Sequence, residues 1–367
     1  MNETQTHPKE PEQGRDVGYR ALRLRNFTCF EDASFDFVPG INVLVGENGT
    51  GKTHVMKVLY ACLMHQTQNR GLGFVPTLLQ VMQTDLDKQA ELVRFGAADG
   101  RAEIEVGYGK RHWAQALAVQ KPPTVDDHLL GERLERPVFI PSPDMIGHVK
   151  GFTNLYDEQG LLRNEYGLDF DLTFRDLAHL LGLPKASPAP QFEAILDQFE
   201  KEVLKGKVEY DKAEQRFYLR RGNHRQPMPL VAEGLRKIAT LLTLVRNGFI
   251  KAGTTLFWDE PEVNLNPSLM DEVARMLWVL VENGVQIFVA SHSYLILNEI
   301  ENWKPDHQEL RFFALEPTDD KGVIIHPSAT YLDIAPNKIE QQYAELYDRG
   351  IQKEIRTIKA EAISEKK

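Results

Sequence analysis

Eight consecutive residues, Gly46-Glu47-Asn48-Gly49-Thr50-Gly51-Lys52-Thr53, have the types and spacing to hold a chain of phosphates. Three glycines let the backbone wrap tightly, so that successive N–H groups converge on anionic oxygens. In this pattern the lysine, Lys52, reaches the β- and γ-phosphates, and the hydroxyl after it, Thr53, ligates Mg²⁺. Much later in the chain the apolar run Leu256-Phe257-Trp258 delivers two adjacent carboxylates, Asp259 and Glu260. Their spacing suits a division of roles. Asp259 is expected to hold Mg²⁺, and Glu260 to orient or activate the water that attacks the γ-phosphate. A further apolar run, Val285 to Ala290, ends in Ser291-His292-Ser293. Lys52 and Glu260 are therefore the expected catalytic residues, on ATP as the nucleotide.

These groups need elements to carry them. Ile41-Asn42-Val43-Leu44-Val45 is a β-branched run that reads as a buried strand ending at Gly46, and the residues after Thr53 have apolar positions at helical spacing. The helix adds the positive end of its dipole to the phosphate site. Thr254 to Trp258 and Val285 to Ala290 read as buried strands, with a helix over 232–250 before them and one over 268–282 between them. Helix, strand, helix, strand with short loops implies parallel βα units. Residues 19–37 alternate as two strands, with the polar stretch Glu31-Asp32-Ala33-Ser34 as the expected turn.

The middle of the chain signals more weakly. Residues 78–95, 171–182 and 191–204 read as helices, with Pro184, Pro188 and Pro190 marking a loop between the last two. Residues 102–108 and 137–141 read as strands, and 207–211 with 215–220 as a hairpin. A charged helix is expected over 338–365. No internal repeat or long heptad run is visible.

The composition excludes several classes. The chain has 367 residues, 42% of them hydrophobic, and a formal net charge of -10. Such an acidic balance argues against coating nucleic acid by bulk charge. Cys29 and Cys62 form neither metal-ligand spacing nor a disulfide framework, so a cytoplasmic setting is expected. Residues 1–18 are polar and carry no apolar signal core, and no apolar run has membrane-spanning length. The basic clusters Lys110-Arg111-His112, Arg220-Arg221 and His224-Arg225 read as solvated loops before they read as a nucleic-acid surface.

Taken with the phosphate loop, the run Asp259-Glu260-Pro261-Glu262-Val263-Asn264-Leu265-Asn266-Pro267 resembles the ABC-type ATPase heads of the RecF/SMC and OLD-like group. The resemblance covers about 19–62 and 228–300. It implies an α/β fold with a mixed sheet, in which His292 is a switch histidine sensing the γ-phosphate. It also implies that Ala232-Glu233-Gly234, upstream of the carboxylates and opening a helix, lies on the γ-phosphate of a second copy of the chain. Members usually have serine where this chain has Ala232, so backbone N–H groups at Glu233 and Gly234 are expected to serve, with Arg236 and Lys237 either compensating or lying on a solvated helix face. Arg25 or Asn26 is expected near the nucleotide, with Asn26 assigned to its binding. Ser142 or Asp144 is expected to face the metal and water. The implied organisation is a disordered leader over 1–18, a core over 19–62 and 228–335, an inserted mainly helical lobe over 63–227, and a C-terminal helix over 336–367. By analogy the partners are a second copy and a separate effector protein such as a nuclease or toxin, with DNA the partner in the alternative reading as a RecF-type repair head, and no membrane.

Overall fold

The computed structural model describes residues 17–67, 73–85, 87–118, 134–150, 171–183, 188 and 190–364, with side chains described as far as 355. Residues 1–16 of the expected leader and most of the 184–190 proline loop lie outside the described residues.

One mixed sheet of ten strands carries the molecule, in the order β5-β4-β1-β2-β13-β12-β3-β11-β10-β6. Its parallel part contains β3 (Ile41–Val45), β10 (Thr255–Asp259), β11 (Gln286–Ser291), β6 (Val138–Ile140) and β12 (Leu310–Thr318). The antiparallel part contains β1 (Tyr19–Phe27), β2 (Phe30–Asp36), β4 (Arg101–Tyr108), β5 (Arg111–Ala118) and β13 (Gly322–Ser328). Strands buried on both faces need apolar residues at every position, and β3, β10 and β11 have nearly that.

Their side chains alternate between two cores. Leu44, Phe257, Phe288 and Phe313 point to one side, where α1 (Lys52–Thr67) and α2 (Phe74–Met82) cover them. Val43, Trp258, Val289 and Phe312 point to the other, under α5 (Glu233–Arg246), α6 (Pro267–Glu282) and α7 (Tyr294–Asn302). On the first side Phe139, Phe257 and Phe288 stack in a row across β6, β10 and β11, with centroids 6.1 and 5.1 Å apart. The remaining described elements are α3 (Leu172–Gly182), α4 (Pro190–Phe199) with a π turn over Glu200–Leu204, a small sheet of β7 (Lys207–Asp211), β8 (Arg216–Arg221) and β9 (His224–Pro227), and α8 (Lys338–Ser364).

Three expectations change. The turn of the first hairpin is Thr28-Cys29, with Phe27 opposite Phe30, not Glu31–Ser34. The polar residues lie within β2, where Asp32 pairs with Arg23 of β1 at 2.8 Å. The helix expected over 78–95 ends at Met82, because Gln83 takes a left-handed cap (φ 59°) and its N–H returns to Leu79 and Gln80. Residues 101–108, 111–118 and 138–140, within the span expected for the lobe, are strands of the main sheet, and the small sheet, α3 and α4 pack into the same core as α5.

Candidate nucleotide-binding site

The parallel register sets the site. Leu44, Ala290 and Asp259 share one level of the sheet, and Val45 and Ser291 the next. The phosphate loop, Asp259-Glu260 and His292 therefore leave the sheet at the same edge, beyond the carboxyl ends of the strands, where open α/β sheets bind ligands.

The loop has little freedom. A Cβ on Gly46 would lie 2.8 Å from the Leu315 carbonyl oxygen. Gly51 has φ +86°, and a Cβ there would lie 2.6 Å from Cys29 Sγ and 2.7 Å from Phe30 Cζ. The Thr50 hydroxyl closes the turn on the Glu47 carbonyl at 2.9 Å, while Asn48 and Gly49 form the exposed tip. Lys52 is buried, and its ammonium donates to the Gly46 and Glu47 carbonyls at 2.8 and 2.9 Å. Burial pushes its pKa down, against the pull of Glu260, Asp259 and Glu262.

Thr53, one residue on, donates its hydroxyl to Asp259 Oδ2 at 2.9 Å. Burial raises the Asp259 carboxyl to about 6, and nearby Glu260 adds to this while the Thr53 bond and Lys52 oppose it. Two oxygens at that separation match neighbouring ligands of an octahedral ion with bonds of about 2.1 Å, so hydroxyl and carboxylate fit Mg²⁺. Among the described residues no group of three or more His, Cys, Asp or Glu forms a site of its own.

Glu260 is held at every polar group. Its backbone is left-handed (φ 47°), a conformation that costs a non-glycine residue about 1 kcal/mol or more. Its N–H donates to the Ala290 carbonyl at 2.9 Å, and its carbonyl accepts from Lys237 Nζ at 3.0 Å. Oε2 accepts from the Ser142 hydroxyl at 2.9 Å, and Oε1 lies 3.3 Å from His292 Nδ1. His292 is half-exposed, and its loop is braced from below by buried Glu262, whose Oε1 accepts from Ser291 Oγ at 2.7 Å and from His292 N at 3.2 Å. Of the two candidates after β6, Ser142 reaches the site. Asp144 instead pairs with Arg236 Nε at 2.7 Å.

The segment 232–234 opens α5. Ala232 is its exposed N-cap and supplies no side-chain cap, and Gly234 packs so closely that a Cβ would meet the Asn264 carbonyl and Leu265 at 3.0 Å. Among the described residues no hydrogen bond or ion pair joins 232–234 to the phosphate loop of the same chain. The expectation that Arg236 and Lys237 compensate for the missing serine is overturned: both point into their own protomer, Arg236 to Asp144 and Lys237 to the Glu260 carbonyl. Spacing gave their charge but not their direction.

Of the first hairpin, Thr28 and Cys29 reach the site, Thr28 Oγ1 at 3.1 Å from His54 Nδ1 and Cys29 Sγ at 3.7 Å from the Thr50 carbonyl. Asn26 contacts Asp99 at 3.4 Å and Arg25 pairs with Glu103. The lobe's basic residues have local partners: Arg220 with Glu209, and Arg225 with Asp211 while stacked on the Tyr218 ring.

A family model described as "AAA domain, putative AbiEii toxin, Type IV TA system" matches residues 116–298, and one described as "AAA domain" matches 21–106. The chain is 28% identical over 141 residues to the DNA replication and repair protein RecF of Staphylococcus carnosus, covering 36% of this chain and 33% of that protein. It is 31% identical over 86 residues to the DNA double-strand break repair Rad50 ATPase of Sulfolobus acidocaldarius, covering 23% and 8%. The match thus spans a third or less of the length of these curated relatives. Among solved structures it is similar to an Smc head bound to the C-winged helix domain of ScpA, with a TM-score of 0.55 at 12% identity over 86% of this chain and 99% of that one. A second Smc head, bound to a ScpA domain derived from Pyrococcus furiosus, gives 0.51 at 10% identity over 90% and 98%. Fold, phosphate loop and these relatives agree, and the chain belongs to the ABC-type P-loop ATPase heads of the RecF/SMC group.

Proposed function

We propose that this head binds ATP with Mg²⁺ and hydrolyses it, two copies closing head-to-tail so that each completes the other's site. The observation that supports this best is the convergence of Thr53-Asp259 and the fourfold-held Glu260 beside Lys52. Lys52 exchanges its two loop carbonyls for the β- and γ-phosphates, and the N–H groups from Asn48 to Thr53 wrap the phosphate chain. Thr53 and Asp259 would hold Mg²⁺, which when bound neutralises charge on the phosphates. Glu260 orients a water and takes its proton as the water oxygen bonds to the γ-phosphorus. The bond from that phosphorus to the bridging oxygen breaks, leaving ADP and phosphate. Ser142 and His292 fix the two Glu260 oxygens for this step, and His292 faces the γ-phosphate. From the second copy, the Glu233 and Gly234 N–H groups at the start of α5 complete the anion site without a serine hydroxyl.

The assembled state serves as a cytoplasmic switch on a separate effector protein, a nuclease or toxin, in defence against phage. The matching family's description, "AAA domain, putative AbiEii toxin, Type IV TA system", is compatible with that setting and names no partner. The test is Glu260→Gln. ATP binding is retained and steady-state hydrolysis falls by about 10²-fold or more. Unchanged turnover removes Glu260 from the role of base.

A second reading, direct action on DNA, is favoured by the repair proteins among the relatives. It requires ATP-dependent duplex binding that weakens steeply with salt.

A further inference from the structure

Helix α8 has 27 residues, about 40 Å, and from Glu340 to Ile355 every residue is exposed. Yet Tyr343, Tyr347, Ile351 and Ile355 recur every fourth residue, with Leu346 beside them, and these five side chains are between 39% and 70% exposed. An apolar row of this kind is the ridge by which one helix packs into the groove of another. Among the described residues, the body of the chain covers only its root. There Lys338 lies 3.6 Å from Glu47 of the phosphate loop, and the Tyr343 ring lies 5.4 Å from Tyr294, just after the switch histidine.

The charges indicate what covers the rest. Residues 338–348 contain one basic and three acidic residues, and 349–364 contain four basic and two acidic ones. A copy of the same helix running the opposite way sets the acidic half of each along the basic half of the other. This polarity also suits the helix dipole, so the charges alone would not require a partner. The apolar row does, and it is self-complementary. With the two-fold axis at Ile351, Tyr347 of one copy faces Ile355 of the other. Gly350, beside the axis, has nothing within 4 Å of where a Cβ would be. A mid-helix glycine is less favourable than alanine, and here it leaves room for close approach of the second helix.

We propose that α8 is a self-association element, pairing antiparallel with α8 of a second copy around Ile351 whether or not nucleotide is bound. This interface is separate from the nucleotide-closed one and does not depend on hydrolysis. Because α8 starts against Glu47 and Tyr294, the pair tethers two phosphate loops before ATP arrives and raises the local concentration of one head near the other.

Sedimentation equilibrium of the full chain, with EDTA and no nucleotide, tests it. The expected result is a dimer at micromolar concentration, and Tyr347→Glu with Ile351→Glu should raise its dissociation constant about tenfold or more while circular dichroism and binding of a fluorescent ATP analogue stay unchanged. Orientation is read by oxidative cross-linking: Ile351→Cys chains join to one another, as do Tyr347→Cys chains mixed with Ile355→Cys chains, whereas Tyr347→Cys alone does not. A monomeric parent chain, a dimer indifferent to both glutamates, or efficient self-linking at Tyr347→Cys overturns the proposal.

Discussion

The Thr53 hydroxyl donates to the Asp259 carboxylate across 2.9 Å, joining residues 206 positions apart in sequence. This bond is one of the forces lowering a carboxyl that burial has raised to about 6. An unfolded aspartate ionises near 3.8, so between about pH 4 and 6 the folded chain holds a proton that the unfolded chain has released. The Asp259 contribution to stability therefore falls as pH rises through that window, by up to about 3 kcal/mol. Asp259→Asn should remove the fall. Urea denaturation without nucleotide is expected to find the variant about 1–3 kcal/mol more stable than the parent at pH 7 and nearly equal at pH 4, while Mg²⁺-dependent ATP binding is lost. A variant less stable than the parent at pH 7 would show that the buried charge is better compensated than described.

Glu260 takes a hydrogen bond from Ser142 on its carboxylate and one from Lys237 on its backbone carbonyl. Both act through Glu260 rather than on nucleotide, so they should change kcat and leave KM for ATP alone. Ser142→Ala is expected to lower kcat about tenfold, the worth of one hydrogen bond to a charged group. Lys237→Met keeps the buried stem and deletes the donor, and should lower kcat by a similar factor as the left-handed Glu260 backbone loses its tie. A raised KM with unchanged kcat in either variant would place that residue in nucleotide binding instead.

How much of this was legible follows from range. β3, the phosphate loop and α1 are contiguous, and their apolar run, glycines and helical spacing read directly. β10 and β11 announce themselves because strands buried on both faces must be apolar throughout. β12 does not, since its unbroken apolar run is only the four residues 312–315, between Arg311 and Glu316-Pro317, and its pairing with β3 and β13 is what reveals a strand. The polar run in β2 looked like a turn because the partner that neutralises Asp32, Arg23, sits on the neighbouring strand. Arg236 and Lys237 show the same limit. Their charge is local information, but their direction depends on Asp144 and Glu260, brought together by the sheet.

The two left-handed glycines of the loop separate strain from crowding. Gly49 has φ +82° with nothing within 4 Å of a Cβ, whereas at Gly51 a Cβ would strike Cys29 and Phe30 of the first hairpin. Gly49→Ala should cost only the conformational penalty, about 1 kcal/mol. Gly51→Ala adds displacement of a packed aromatic ring and should cost about 3 kcal/mol. Chemical denaturation of the two variants gives the comparison directly. Equal costs would mean that the hairpin moves aside freely.

Ala232 offers the sharpest test of the second half of the site. It caps α5 without a side-chain bond, although its backbone is already close to the extended conformation that a capping serine uses (φ -54°, ψ 137°). Ala232→Ser should therefore stabilise the folded chain by about 1 kcal/mol through the cap alone. The same hydroxyl, exposed at the start of α5, would also meet the γ-phosphate held by the opposite copy. In a Glu260→Gln background, where ATP persists, ATP-dependent association is expected to tighten about five- to tenfold on adding Ala232→Ser. Ala232→Gly serves as the control, since glycine is also accepted as an N-cap but brings no hydroxyl. If the serine raises stability yet leaves ATP-dependent association where the glycine does, then 232–234 is a helix start and not the distal half of a nucleotide site. Tighter association with the serine only is the outcome that a shared site requires, because a cap acts within one protomer and cannot by itself respond to ATP bound in another.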